Sequence, residues 1–316
     1  MNLQTQIPIQ KEFRNPIDYT SKLLLIGSCF SENIGGKLEH YKFQTVQNPL
    51  GILFHPIAIE NLICNVINEK VYTENDVFFH NERWHCFDAH SVLSNPNKEA
   101  LLKGLNQAIL STNKQAHNST HLVITLGTSW VYRHIETDAI VSNCHKIPQK
   151  KFLKELLSID EITQSLEAII TLVKSVNKDV AILFTVSPVR HLKDGFIENQ
   201  QSKAHLITAI HQVLNRGNAF YFPSYELMMD ELRDYRFYAE DMLHPNQTAI
   251  NYIWEKFTTS WVSEEARITM QEVAAIQQGL AHRPFNESSE QHQQFLKTLQ
   301  QKMETLQKTV PSIVFE

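Results

Sequence analysis

A chain of 316 residues, 42% hydrophobic and 20% charged, is long enough to bury a sizeable core and has the composition of an ordinary globular protein. Its net charge of -5 offers no overall basic field to nucleic acid or acidic membranes, and no apolar run is long enough to cross a bilayer. Residues 1–10 have neither the basic nor the apolar stretch of a signal peptide, so the expectation is a cytoplasmic protein that takes small-molecule partners, with no nucleic acid and no membrane. Cys29, Cys64, Cys86 and Cys144 are scattered and form no Cys-x-x-Cys pair, which reads as reduced thiols. His80, His85 and His90 are five apart and do not stack on one helical face, so no metal and no cofactor is expected.

The run from Leu23 to Ile26 is apolar throughout, fits a strand buried on both faces of a parallel sheet, and stops at Gly27. Residues 31–41 follow with Ile34, Leu38 and Tyr41 at helical spacing. Residues 43–47 suit a second strand, closed by the turn signal Asn48-Pro-Leu-Gly51. Residues 57–67 read as a helix, 72–94 as an aromatic and histidine-rich short hairpin, and 99–112 as another helix. His121 to Leu126 is the third buried strand, ending at Gly127. A long amphipathic helix over 159–176 precedes a fourth strand over 179–186, which Ser187-Pro188 closes. Then come a helix over 202–215, a short strand over 219–222 and a helix over 248–261. Strands alternating with helices predict parallel crossovers and a three-layer α/β/α domain with a mostly parallel sheet over residues 1–262. Residues 263–316 are rich in Gln and Glu and hold no strand. They break near His282-Arg-Pro-Phe285 and then space Leu296, Leu299, Met303, Leu306 and Val310 by threes and fours. This predicts a helical C-terminal extension that either lies back on the domain or supplies a homodimer contact.

In such sheets function gathers where the strands' carboxyl ends open onto loops. Ser28 and Cys29, directly after Gly27, fall at that edge, although a tight turn with a capping serine uses the same residue types. Asp241-Met-Leu-His244-Pro245 precedes the last helix of the domain, which Pro245 is expected to start. An imidazole there can take a proton from a hydroxyl or thiol while the carboxylate fixes its tautomer. Arg190 and His191 follow the fourth strand. Arg190 either binds a substrate carboxylate or phosphate, or pairs with Asp194 or with the Asp230/Glu231 cluster. Arg233, Asp234 and Arg236 read as a salt-bridged surface. Trp84, His85 and His90 belong either to an insertion over the pocket or to an aromatic mini-core.

Gly27-Ser-Cys-Phe-Ser31 resembles the signature of the GSCFA family, which is related to the SGNH/GDSL hydrolase superfamily, and the resemblance spans residues 24–261. It implies an SGNH-type, flavodoxin-like fold and an esterase or acyltransferase working through a covalent acyl-enzyme, with O-acetylated carbohydrates as one substrate class. Matched to the superfamily's sequence blocks, Gly51 fits the second, Gly127-Thr-Ser-Trp130 the third, and Asp241 with His244 the last. Asn143-Cys-His145 and Ser187-Pro-Val-Arg-His191 are further family-like stretches. The resemblance thus implies Gly51, Ser129 and Asn143 as oxyanion donors, and Gly127, Trp130, His145, Arg190 and His191 as substrate contacts. Two departures stand out. Cys29 occupies the nucleophile position and Ser28 that of the usual Asp, while a one-residue shift makes Ser28 the nucleophile. Ser129 replaces the block-three Asn with a shorter hydroxyl, and Asn143 is either a substitute amide or a turn former. Both departures also fit an alternative, a catalytically weak or inactive binding or regulatory protein on the same fold.

Overall fold

The computed structural model describes residues 5–315. The α/β region runs β1 (Lys22–Gly27), α1 (Cys29–His40), β2 (Gln44–Gln47), α2 (Pro56–Ile67), β3 (Phe78–His80), β4 (Arg83–His85), α3 (Lys98–Asn118), β5 (His121–Leu126), β6 (Trp130–His134), β7 (Ala139–Val141), β8 (Phe152–Leu156), α4 (Ile159–Val176), β9 (Ala181–Val186), α5 (Phe196–Leu214), β10 (Phe220–Phe222), the short α6 (Ser224–Glu226) and α7 (Gln247–Trp261). Helices α8 (Glu264–Leu280) and α9 (Glu290–Thr309) follow. Among the described residues, β10-β9-β5-β1-β2 form the central sheet in that order, every pair parallel. From β1 the chain builds one way to β2 and then returns to the other side at β5. The order therefore reverses between β1 and β5, and a crevice opens at their carboxyl ends.

Strand alternation sorts the core into two layers. Leu24, Ile26, Leu122, Ile124, Ile182 and Phe184 pack under α2, α3, α4 and α5. Leu23, Leu25, Val123 and Leu183 face the other way, under α1 and α7. Each such side chain contributes roughly 1.5–3 kcal/mol by leaving water. Helices α8 and α9 extend the second layer through Met270, Val273, Ile276, Leu299 and Leu306, which share a core with Tyr19 and Phe43. The extension thus lies back on the domain. The outcome is the expected three-layer α/β/α arrangement with C-terminal helices.

Three features differ from the sequence-based expectation. Helix α3 continues to Asn118, and α5 begins at Phe196, six residues early, with Phe196 and Ile197 exposed. Strands β6, β7 and β8 form an antiparallel sheet, order β7-β6-β8, that the sequence does not announce. These strands are short, and charged Arg133, Lys154 and Glu155 interrupt their apolar pattern. Pro245 does not start α7. Asn246 caps that helix by accepting from Ala249 N–H (3.1 Å), and Pro245 instead bridges to Tyr238.

Candidate active site

Gly27 ends β1 with φ of +150°, and a Cβ there would lie 2.3 Å from Thr125 O, so only glycine fits where β1 meets β5. Ser28 turns the chain. Its N–H donates to Thr125 O (3.0 Å), and its Oγ caps α1 by accepting from Phe30 N–H (3.3 Å). That serine is 2% exposed. Cys29, the first residue of α1, is half-buried. Burial and then Glu32 push its thiol above the ordinary range, against the pull of the Cys29 and Phe30 amides and of Lys203. The amides at the helix start favour a thiolate, but desolvation outweighs them. A base must take the proton before the sulfur can attack.

The end of β2 closes over this turn through a residue the sequence reading passed over. Asn48 Oδ1 accepts from Gly27 N–H (2.9 Å), and its Nδ2 donates to Glu32 Oε1 (3.3 Å). Gly51 N–H, expected as an oxyanion donor, donates instead to Asn48 O (2.7 Å) in the turn itself. Ser129 is likewise engaged. It is fully buried, its N–H donates to Ser202 Oγ (2.7 Å), and its hydroxyl donates to the same residue, so it faces α5 and offers no donor to the crevice.

Next to Ser202 stands Lys203, a fully buried lysine that also escaped the sequence reading. Its ammonium donates to Gly127 O and Ser187 O, each at 2.7 Å, and so ties together the carboxyl ends of β5 and β9. Burial lowers it to about 7, only partly countered by Cys29. His191 lies beyond. A Cβ on Gly127 would sit 3.0 Å from its Nε2, an atom that is buried and without a hydrogen-bond partner among the described residues. Burial first, then Lys203 and His244, holds this ring neutral, at about 3.

The Asp241–His244 loop reaches the same edge. Asp241 Oδ1 accepts from Leu243 N–H (2.9 Å) and His244 N–H (3.0 Å), while its Oδ2 accepts from His244 Nδ1–H (2.6 Å). Those amides and then the ring hold its carboxyl down at about 2. The imidazole is about half exposed, and among the described residues its Nε2 has no hydrogen-bond partner. Leu243 O accepts from Arg190 N–H (3.2 Å), which locks the loop to the turn after β9. Cys29 and Lys203, Lys203 and His191, and His191 and His244 are each within electrostatic reach of one another. Among the described residues no direct hydrogen bond joins His244 to Cys29 or Ser28.

The remaining expected contacts are spread more widely. Trp130 Nε1–H donates to Glu198 O (3.1 Å), with Lys154 Nζ 4.6 Å over its ring, so it anchors β6 to α5. His145 Nε2–H donates to Cys86 O (2.7 Å), and its ring packs 4.7 Å from His85 and 5.7 Å from Phe78. This is an aromatic mini-core. Asn143 Oδ1 accepts from His145 N–H (2.8 Å), the turn-forming role. Among the described residues Arg190 pairs with none of the three expected carboxylates: Asp194 holds Lys154 (2.7 Å), Asp230 holds Arg233 (3.4 Å) and Glu231 holds Lys256 (3.1 Å).

A parallel sheet ordered β2-β1-β5-β9-β10, with a thiol, an Asp–His pair and a buried lysine at its carboxyl edge, defines a flavodoxin-like α/β/α protein with a candidate site at the switch point. The chain belongs to the GSCFA family, whose model matches residues 22–257, and the model described as the GSCFA domain protein, C-terminal domain, matches residues 273–316. No curated protein matches it. Among solved structures it is similar to an acetyl xylan esterase, Est2A, from the rumen bacterium Butyrivibrio proteoclasticus. Identity is 11% over 78% of this chain and 66% of that one, with a TM-score of 0.37, so the chain spans about two thirds of that protein's length.

Proposed function

We propose that this protein is an esterase or acyltransferase that takes the acyl group of an O-acyl ester, O-acetylated carbohydrates among them, onto Cys29. The Cys29 sulfur attacks the ester carbonyl carbon while His244 Nε2 accepts the thiol proton. The carbonyl re-forms as the ester C–O bond breaks, and His244 returns the proton to the departing alkoxide. Water or an acceptor hydroxyl then attacks the thioester and frees Cys29. Asp241 fixes the His244 tautomer and stabilises the imidazolium. The donor this reading assigns to the oxyanion is the Cys29 amide at the start of α1, since Asn48 Nδ2 already donates to Glu32 Oε1. The observation that supports the reading is the fastening of the Asp241–His244 loop, through Leu243 O and Arg190 N–H, to the turn after β9, on the same sheet edge as the half-buried Cys29, whereas Ser28 is buried and occupied as a cap.

Hydrolysis of aryl acetates by single variants tests it. Cys29→Ala and His244→Ala are expected to lose about a hundredfold or more in kcat, and Ser28→Ala to stay within about tenfold. Unchanged turnover in both of the first two variants would refute the reading. The engagement of Gly51 N–H and the Ser129 hydroxyl elsewhere favours a second reading, a binding protein without efficient turnover. In that case His244→Ala leaves the rate of Cys29 alkylation unchanged.

A further inference from the structure

Beside the Asp241–His244 loop lies a cavity of about 230 Å³ to which the reaction above gives no role. Its floor is apolar, from buried Met228 and Leu232, and Arg190, Arg233, Tyr235 and Tyr238 line it further. Two of these residues are fastened to the loop that carries the imidazole. Arg190 N–H donates to Leu243 O (3.2 Å), and Tyr238 bridges to Pro245. Cavity and imidazole therefore share one backbone frame.

The charges around the cavity are unequally satisfied. Arg233 is paired with Asp230 (3.4 Å), and Asp234, the acidic residue of the lining, with Arg236 (3.0 Å). Among the described residues no carboxylate pairs with Arg190. Its guanidinium lies 4.6 Å from the Tyr238 ring centroid and donates one hydrogen bond to that tyrosine, and of its five N–H groups the others remain as in-plane donors for a planar or tetrahedral anion. Arg190 is also within electrostatic reach of Tyr225, whose ring lies 5.5 Å from Lys203 Nζ. The cation is thus connected to the Cys29 side of the loop.

We propose that this cavity seats an anionic group of the substrate, a carboxylate or phosphate held by Arg190, with an adjoining apolar portion against Met228 and Leu232. The esters cleaved at the neighbouring edge are then anionic ones, an inference that rests on the esterase or acyltransferase reading. Three acetate esters test it: 4-acetoxybenzoate, 4-acetoxyphenyl phosphate and uncharged phenyl acetate. Relative to phenyl acetate, at least one anionic ester is expected to gain about tenfold or more in kcat/KM over its ratio in Arg190→Gln, with Arg190→Lys in between. The anion with the larger gain identifies the class as carboxylate or phosphate. Equal ratios in the native protein and Arg190→Gln would overturn the proposal.

Calorimetric titration with benzoate and with inorganic phosphate separates this outcome from failure of the ester chemistry. Binding to the native protein that Arg190→Gln abolishes upholds the pocket even without turnover, and no binding of either anion overturns it. If Arg190→Gln does not fold, protection of Arg190 in the native protein from phenylglyoxal by either anion, read by peptide mass spectrometry, decides in its place. Protection upholds the pocket, and modification at an unchanged rate rejects it.

Discussion

At the scale of single residues, Lys203 is the position whose removal is most informative. Its ammonium opposes the burial and Glu32 effects that raise the Cys29 thiol. In Lys203→Met the thiol should titrate at higher pH, and at a fixed pH well below the midpoint each one-unit rise of that midpoint leaves about tenfold less thiolate. The pH profile of iodoacetamide labelling at Cys29 reads this directly, and an unmoved midpoint would contradict the coupling. Methionine also leaves Gly127 O and Ser187 O without their donor, so the variant should unfold more easily. Gly27 offers a second test. A Cβ at φ of +150° and 2.3 Å from Thr125 O has no relaxed position, so Gly27→Ala should cost about 2–4 kcal/mol in urea unfolding. Asp241 carries a pH sign. Its folded-state carboxyl is depressed from 3.8 to about 2, so its pairing with the His244 amide and ring stabilises the loop fully above 3.8 and is lost as pH falls through about 2.

At the scale of elements, Asn246 joins structure to chemistry. Its Oδ1 caps α7, and its Nδ2 donates to Arg236 O (2.7 Å), so one side chain fastens the helix to the segment leading into the Asp241–His244 loop. Asn246→Ala should cost about 1–2 kcal/mol and lower turnover more than that loss of folded protein explains, checked by melting and kcat together. The central strands are legible in the sequence as continuous apolar runs buried on both faces, as in Leu122 to Leu126, and most helices by burial that repeats every 3.6 residues, as in the stripe through Ile162, Leu166, Ile169 and Val173. Strands β6 to β8 are not, since five or fewer residues, interrupted by Arg133, Lys154 and Glu155, leave too short a pattern. Lys203 left one overlooked sign. It sits in register with Leu206 and Ile210 on the buried stripe of α5, a place where lysine is rare. Asn48 was hidden inside a turn motif, and the donor roles of Gly51 and Ser129 depend on partners distant in the chain, which spacing cannot reveal.

At the scale of the whole molecule, two helical layers bury the sheet and leave its carboxyl edge as the place where loops from β1, β2, β5, β9 and β10 converge. The C-terminal helices belong to that stability, because Leu299 and Leu306 share a core with Tyr19 and Phe43. Leu306→Ala should lower stability by about 2–4 kcal/mol, measured by urea unfolding, and a change below about 0.5 kcal/mol would show the extension to be loosely attached. The account as a whole turns on a thiol and an imidazole, remote in sequence, acting on one acyl group. Its most direct measurement is acid trapping during turnover of an aryl acetate, followed by peptide mass spectrometry of the native protein and of His244→Ala. The account predicts an acetyl group on Cys29 in the native protein and far less of it in the variant. An adduct on Ser28, or one on Cys29 that forms equally without His244, would contradict it.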